Sequence, residues 1–335
     1  MDNVNTEFTT LMKQRRFAEA AALADRQLVA AGGHSEFWLT RLSVALKENG
    51  DADGALKAAE QACELAPANA WALLARGEAL MKKGQNEEAL PFFDDARADS
   101  RTAPRARRGA LACLSHAKAW QRILESLVQW AVPEAEAYPW KTRALAGLGK
   151  TGDALAECGR WLAACPDSRD AVWQQAELWV ASEGIDAALS RMGRLCKIPG
   201  KPAVYGEIYA ALCKRAGRAS DAVRQYERLL DAGATPALQR KQAFALAKSG
   251  REAEAIPMLE ELLRTAPADM YLNNGYIGAC GRGGSLERAW AFYHELMARH
   301  PAEKSLYGRL SRVRTLIEKA GGGAQAGLPA ERRDP

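Results

Sequence analysis

Small residues recur along this chain at a nearly constant spacing, and this recurrence limits what the chain can fold into more than any other feature. From Ala154 onward, the steps between successive small residues are 34, 34, 33 and 34 residues. The recurring positions are Ala20, Ala55, Ala89, Ala154, Ala188, Ala222, Ala255 and Ala289, with Ile123 in the corresponding place between Ala89 and Ala154. A fixed period of this length is typical of stacked helical hairpins, because each unit packs only against its neighbours.

The clearest unit is residues 70–98. Its sequence predicts two short amphipathic helices joined by a turn at Gly84. Gly77 lies in the first helix, and Ala89 and Phe93 lie in the second. Small residues allow two helices to approach closely, and we expect the Phe93 ring to fill the space between them.

This pattern resembles the tetratricopeptide repeat, a helix-turn-helix unit of 34 residues. The resemblance implies an all-α fold, a right-handed α-α superhelix or solenoid of about nine hairpins over residues 1–319. We place the hairpins near residues 5–31, 36–67, 70–99, 103–131, 135–166, 169–199, 202–233, 236–267 and 269–300, followed by a capping helix over 303–319. A terminal cap is expected because the last hairpin would otherwise leave an apolar face in water. Residues 320–335 have no apolar periodicity and are predicted to be disordered.

Glycines in a common register mark the predicted turns, since glycine relieves left-handed strain at a helix end. They are Gly50, Gly84, Gly149, Gly217, Gly250 and Gly284. The fourth hairpin lacks this glycine, and we interpret its irregular spacing as a bend in one superhelix, with ordinary drift of the repeat as the alternative. The ninth hairpin has a glycine-rich first helix, residues 273–284. That helix is either thin so that another backbone can approach, or it is a poorly selected terminal unit.

The bulk composition limits the classes of partner. The 335 residues include 46 basic and 41 acidic side chains, a balance that gives little support to a dedicated nucleic-acid binder. No apolar run approaches the roughly 18 residues of a membrane span, so no membrane insertion is expected. Seven scattered cysteines fit a reducing compartment, and with no signal-peptide pattern at the start we expect a cytoplasmic protein.

Sequence motifs for catalysis are weak. Residues 144–151 come within one residue of a phosphate-binding loop, but the preceding segment is helical and Lys150 falls in a predicted interhelical turn. The four histidines show no zinc-ligand spacing. Recurrence at packing positions predicts that five cysteines are small core residues. These are Cys63, Cys158, Cys196, Cys213 and Cys280. We therefore expect no enzyme, no catalytic residue, no metal and no cofactor.

In the family that the chain resembles, the first helices line an inner groove that binds peptides. The positions of this sequence that face the groove in the repeat register are Arg41, Trp71, Leu74, Arg105, Arg108, Trp140, Arg143, Trp173, Arg240, Lys241 and Asn274. Aromatic rings beside arginines are typical of protein interfaces. The basic run 101–108 either adds positive potential there or is a solvated connecting segment. The lysine and asparagine pattern with which some relatives clamp the carboxylates of heat-shock chaperones is absent.

These features predict a non-catalytic, monomeric adaptor or scaffold that binds a protein or peptide partner, of acidic character, in the groove. Two alternatives stay open. One is a helical-repeat protein that binds single-stranded RNA, against which stand the net charge of +5 and the lack of recurrent polar pairs. The other is a scaffold that self-assembles through open solenoid ends, against which stands the capping helix.

Overall fold

The computed structural model describes residues 2–233 and 235–320, and these residues form helices with no strand among them. The predicted all-α, helical-repeat fold is thereby confirmed. The helices are α1 (Asp2–Lys13), α2 (Phe17–Ala30), α3 (Glu36–Asn49), α4 (Ala52–Leu65), α5 (Ala70–Lys82), α6 (Asn86–Ala96), α7 (Ala103–His116), α8 (Trp120–Gln129), α9 (Glu134–Gly147), α10 (Thr151–Ala164), α11 (Arg169–Glu183), α12 (Ile185–Leu195), α13 (Ala203–Arg215), α14 (Ala219–Ala232), α15 (Pro236–Lys248), α16 (Glu252–Thr265), α17 (Met270–Arg282), α18 (Leu286–Arg299) and α19 (Ser305–Ala320). The predicted disordered segment lies outside the described residues, apart from Ala320 at the end of α19.

The helices follow one another as hairpins. Each odd-numbered helix from α1 to α17 is a first helix, and the even-numbered helix after it is the second helix of the same hairpin. First helices also pack against the first helix of the next hairpin, as α3 does on α5, α5 on α7 and α15 on α17. Successive first helices therefore share a face, and side chains at one register position come close together there.

The chain divides into two compact units, residues 1–161 and 162–335, and the division falls within α10. A single continuous superhelix over residues 1–319 stays a prediction.

The turn register predicted from glycine is confirmed. All six glycines of the register have a positive φ, between 63° for Gly284 and 93° for Gly50. The first and fourth hairpins place Arg15 and Lys118 at this position, with φ of 60° and 54°. The fourth hairpin therefore keeps the same turn without a glycine, and its backbone there adopts a conformation that costs an L-residue free energy.

Side-chain caps fix where several helices begin. Ser35, Asp51 and Asn69 precede α3, α4 and α5, and their side chains accept hydrogen bonds from backbone N–H groups of the first turn. Such caps satisfy donors that have no partner within the helix. In the Asn69 cap the donor is the backbone N–H of Trp71, at 3.0 Å from Oδ1.

Phe93 is at the centre of the core in the third and fourth hairpins, as predicted for the aromatic residue between close-packed helices. Its side chain is fully buried on α6. Two glycines face the ring, Gly77 on α5 and Gly109 on α7, and a Cβ atom built on them would lie 3.0 Å and 2.5 Å from a ring carbon. Only glycine leaves room for the ring at Gly109, because real Cβ contacts do not fall below about 3 Å.

In residues 162–335 the eighth and ninth hairpins share a buried polar network. The hydroxyl of Tyr276 donates to Glu260 at 2.9 Å, and Arg288 pairs with the same carboxylate at 2.7 Å. The hydroxyl of Tyr293 donates to Asn273 at 2.8 Å. Each buried polar group in this network has a partner, and this is what keeps the cost of burying such groups low.

The glycine-rich α17 has a specific neighbour. The ring of Phe244 on α15 packs directly on Gly275, where no side chain would fit. At Gly275 the neighbour is thus an aromatic side chain, and the two alternatives for the rest of this helix stay open. Beyond α18, the capping helix α19 buries Leu306 and Val313 completely, as a terminal cap requires.

Four of the five cysteines predicted to be core residues are buried, namely Cys63, Cys158, Cys213 and Cys280. The fifth, Cys196, is half-buried. Burial raises the pKa of the Cys158 thiol to about 12, so at neutral pH it stays protonated and unreactive. The segment that resembles a phosphate-binding loop forms the end of α9 and an interhelical turn at Gly149, with φ of 74°.

None of the helices in residues 2–233 and 235–320 combines the length and the apolar character that crossing a membrane requires.

Candidate functional site

The first helices of residues 1–161 enclose a pocket of about 410 Å³. We call it the first-helix pocket. Its lining side chains are Phe8, Glu36, Phe37, Thr40, Arg41, Val44, Asn69, Trp71 and Arg105. They come from α1, α3, the start of α5 and α7, so three of the predicted groove residues, Arg41, Trp71 and Arg105, are brought to one place. Apolar walls with a few polar groups are typical of ligand sites.

Arg41 is a half-buried cation surrounded by aromatic rings. Its guanidinium carbon lies 4.3 Å from the centre of the Phe37 ring, 5.0 Å from that of Phe8 and 6.0 Å from that of Trp38. Its Nε is buried without a hydrogen-bond partner, and no carboxylate of the described residues lies within 4 Å of the group. Burial lowers the pKa of Arg41 from its ordinary value. The rings attract the positive charge, but they leave the Nε donor without a hydrogen-bond partner among the described residues.

Two aromatic side chains of the pocket stay open to solvent. Phe37 is 45% exposed and Trp71 is 41% exposed. Phe37 is supported edge-to-face by the buried Trp38, with ring centres 5.1 Å apart. The pocket therefore offers apolar contact area beside an unpaired cation.

Arg105 also lines the pocket, but its charge is already neutralised. Its guanidinium donates two hydrogen bonds to the buried carboxylate of Glu78, and Lys47 approaches the same carboxylate at 2.7 Å. Glu78 needs these cations because burying an unpaired carboxylate is costly. Leu74, also predicted as a groove residue, is only 2% exposed and belongs to the core, so the structure contradicts its assignment to the groove.

The basic run 101–108 is mostly paired rather than a free patch of positive charge. Three of its arginines contact carboxylates: Arg101 with Asp99, Arg105 with Glu78 and Arg107 with Glu136. Arg108 is exposed, and its Nε donates to the carbonyl of Pro104 in its own helix at 3.4 Å. Of the four, only Arg108 has no carboxylate partner among the described residues.

Trp140 and Arg143 lie on α9 and do not line the first-helix pocket. Arg143 is exposed, and its guanidinium carbon lies 5.6 Å from the centre of the Trp140 ring. Trp140 packs against the core residues around Ile123.

A second pocket, of about 430 Å³, lies on the first helices of residues 162–335, and we call it the basic pocket. Its lining residues, from α13, α15 and α17, are Lys214, Arg215, Phe244, Ala247, Lys248, Asn274, Gly275, Gly278 and Arg282. Asn274 is the one predicted groove residue in this lining. Its side-chain oxygen accepts hydrogen bonds from Arg312 at 2.9 Å and Arg309 at 3.4 Å, both on α19.

The other predicted groove residues of this unit lie outside the basic pocket. Arg240 forms a two-point ion pair with Asp269, at 2.7 Å and 3.2 Å, and Lys241 is paired with Glu207. Trp173 is 38% exposed on α11. The charges of Arg240 and Lys241 are therefore used within the fold.

Several lining residues were missed from sequence, although signals for them exist. Phe37 precedes Arg41 by one helical turn, a spacing that places the two side chains on one face. Lys214, Lys248 and Arg282 recur at 34-residue steps, which matches the period of the hairpins. The repeat register therefore predicts neighbouring cations as well as neighbouring small residues.

Among the described residues, no group of three or more His, Cys, Asp or Glu side chains is arranged to hold a metal ion.

Two family models, both described as tetratricopeptide repeat, match the sequence. One matches residues 46–112, and the other matches residues 5–70 and 214–270. A comparison with curated protein sequences finds no match.

Solved structures of similar chains include a tetratricopeptide repeat protein from Parabacteroides merdae, 16% identical, covering 83% of this chain and 98% of its own, with a TM-score of 0.41. The C-terminal part of a TPR repeat-containing protein from Cytophaga hutchinsonii is 15% identical and covers 81% of this chain and 98% of its own, with a TM-score of 0.46. The TPR domain of P58(IPK) is 16% identical and covers 96% of this chain and 99% of its own, with a TM-score of 0.30.

Proposed function

Because the chain carries tetratricopeptide repeats, which generally mediate protein–protein interactions, we propose that it is a non-catalytic adaptor that binds an acidic segment of a partner protein in the first-helix pocket. The observation that carries this proposal is the state of Arg41. A guanidinium held against three rings, with no carboxylate partner among the described residues, is suited to a carboxylate supplied by another chain. Such a pair forms charge-assisted hydrogen bonds, which are stronger than neutral ones.

The exposed rings define the rest of the ligand. Phe37 and Trp71 present apolar surface in the same lining as Arg41. Aromatic side chains with an arginine among them are enriched at the residues that contribute most to binding. The segment that fits is therefore one in which an Asp or Glu stands next to a large apolar side chain.

Glu36 gives the pocket a polar group of the opposite sign. It begins α3 and does not approach Arg41 within 4 Å, so its oxygens can accept hydrogen bonds from backbone amides of a bound segment. A carboxylate at Arg41 and an amide at Glu36 together favour one direction of binding for the segment.

The test is selection of a displayed random peptide library on the full chain. We expect the enriched peptides to combine Asp or Glu with Phe, Trp, Leu or Met. A peptide chosen from this set should bind Arg41→Glu at least about ten-fold more weakly, because a charge-assisted contact becomes a repulsion. The matched control is Arg122→Glu, which makes the same charge change at an exposed arginine on the second helix α8.

Enrichment of peptides without acidic residues, or equal binding to Arg41→Glu and the unaltered chain, would overturn the proposal. Binding of mixed-sequence single-stranded RNA that is lost in Arg41→Glu would favour the RNA-binding alternative instead. Light scattering that shows concentration-dependent growth of the particle would favour the self-assembling scaffold.

A further inference from the structure

Three cations occupy the same register position in three consecutive hairpins. Lys214, Lys248 and Arg282 each lie in the last turn of a first helix, α13, α15 and α17 respectively. All three line the basic pocket. We call this set the cation ladder, because the repeat places like charges beside one another.

The charges around this pocket do not balance. Arg282 is paired with Glu252 at 2.9 Å and also donates to the carbonyl of Ala247 at 2.7 Å. Arg215 is paired with Glu177 at 2.7 Å. Lys214 and Lys248 have no carboxylate within 4 Å among the described residues. Two ammonium groups in one pocket are therefore uncompensated.

The environment of Lys214 shows that these charges influence one another. Burial, followed by the neighbouring charges of Lys241 and Lys248, lowers the pKa of Lys214 from its ordinary value. The other groups that face it are the Tyr226 ring, 5.6 Å from its Nζ, and the cations of the pocket wall. An anion bound between the lysines would remove this repulsion.

The pocket also has open space beside the ladder. A Cβ atom added at Gly278 would meet only the Nη1 of Arg282, at 3.5 Å, which is an ordinary contact. Phe244 closes the side at Gly275. Gly278 thus leaves open space next to the cations of the pocket.

We propose that the basic pocket binds a phosphate group, held between Lys214 and Lys248 and bordered by Arg282 and Gly278. A phosphomonoester carries about −1.5 to −2 charges at neutral pH, which matches two uncompensated ammonium groups. Lysine binds phosphate as a point charge, whereas the planar fork that suits a single carboxylate is already engaged in Arg282 and Arg215. The group can be part of a phosphorylated side chain or of a small phosphate compound.

The cation ladder and Arg41 belong to different compact units and share no side chain, so the two proposed sites are independent. Arg41→Glu should leave phosphate binding unchanged, and variants of the cation ladder should leave binding of the acidic peptide unchanged. Failure of one proposal is therefore distinguishable from failure of the other.

The experiment is calorimetric titration of the full chain with inorganic phosphate, phosphoserine and a degenerate library of phosphoserine peptides, alongside the unphosphorylated library. We expect binding of the phosphorylated probes that weakens with added salt. Lys248→Gln and Lys214→Gln should each weaken it about ten-fold or more, because each removes a charge-assisted contact. Lys197→Gln, the same charge change at an exposed lysine after α12, should have less than a two-fold effect.

A steric variant tests the pocket without changing its charge. Gly278→Leu should abolish binding by filling the space beside the ladder, while the helical circular dichroism is retained. Lys214 is half-buried, so Lys214→Gln can also affect folding. Lys248 is exposed, and Lys248→Gln therefore tests binding without this complication.

Tighter binding of the peptide library than of phosphoserine would identify a phosphorylated segment as the source, and equal binding would identify a small phosphate compound. The proposal is overturned if none of the phosphorylated probes binds, or if the unphosphorylated library binds equally well. It is also overturned if single-stranded RNA binds more tightly than any phosphomonoester, with the same loss in Lys248→Gln.

Discussion

Two arginines of the first-helix pocket carry the same charge but have different partners. Arg105 holds the buried carboxylate of Glu78 together with Lys47, whereas Arg41 lies against aromatic rings and has no carboxylate partner among the described residues. The first arrangement stabilises the fold, because it compensates a buried charge. In the proposed function, the second leaves donors for the carboxylate of a partner segment. Under that proposal, Arg105 serves stability and Arg41 serves binding within one pocket.

Arg105→Ala should lower the free energy of unfolding by about 1 kcal/mol, because Glu78 stays buried and loses one of its two cations. Arg122→Ala, at an exposed arginine on α8, should change it by less than about 0.5 kcal/mol. Urea unfolding followed by circular dichroism measures both. Equal stabilities of the two variants would contradict a structural role for Arg105.

Asp99 contributes to the free energy of unfolding in a way that depends on pH. Hydrogen bonds from the Arg101 side chain and backbone N–H lower the pKa of its carboxyl group to about 2. The folded pKa lies below the ordinary 3.8, so this contribution is present above pH 4 and is lost as the pH falls from about 4 to 2. Arg101→Ala should raise the pKa of Asp99 towards 3.8 in an NMR titration. An Asp99 that titrates near 3.8 in the unaltered chain would contradict the contact.

At the level of helices and turns, the hairpin turn requires one residue with positive φ, and the chain meets this requirement in two ways. Glycine occupies the position in the third hairpin, with φ of 81° at Gly84, and lysine occupies it in the fourth, with φ of 54° at Lys118. Both residues adopt the same left-handed conformation, and the residue at the position determines how much strain the turn carries.

Gly84→Ala should destabilise the fold by about 1 kcal/mol, because the positive φ penalises any Cβ atom even though no atom lies within 4 Å of it. Lys118→Gly should have the opposite sign and stabilise by about 0.5 kcal/mol, the relief of strain being partly offset by the greater freedom of glycine in the unfolded chain. Urea midpoints of the two variants give the comparison. Destabilisation in Lys118→Gly would show that its side chain has a packing role.

Packing between helices leads to a separate prediction for Gly109. Gly109→Ala should destabilise by about 1–3 kcal/mol, because the new methyl group overlaps the buried ring of Phe93. The double variant that combines Gly109→Ala with Phe93→Leu should recover part of the lost stability, because leucine is smaller than phenylalanine. The control is Gly159→Ala within α10, where no atom lies within 4 Å, and a gain of about 0.5–1 kcal/mol is expected. Independent, additive effects of the Gly109 and Phe93 substitutions would contradict the contact.

For the molecule as a whole, the repeat period made the fold predictable from sequence. The spacing of small residues located hairpins such as α5 and α6, and the glycine register located their turns, because both express local steric requirements. Side-chain partners were less predictable. The pairing of Arg105 with Glu78 joins residues 27 positions apart, and nothing in the local pattern distinguishes this arginine from the unpaired Arg41. The repeat register predicts Leu74 in the groove, but a helix position next to the groove can still point into the core.

The central claim, that Arg41 receives a carboxylate of a partner segment, is tested most directly by a double-mutant cycle. Binding of a selected peptide is measured by calorimetry for the unaltered chain and Arg41→Gln, each with the peptide and with its acidic residue changed to the corresponding amide. A direct charge pair predicts a coupling free energy of about 1.5–3 kcal/mol between the two changes. Additive effects, with a coupling free energy near zero, would show that the carboxylate does not bind at Arg41 and would contradict the proposed site.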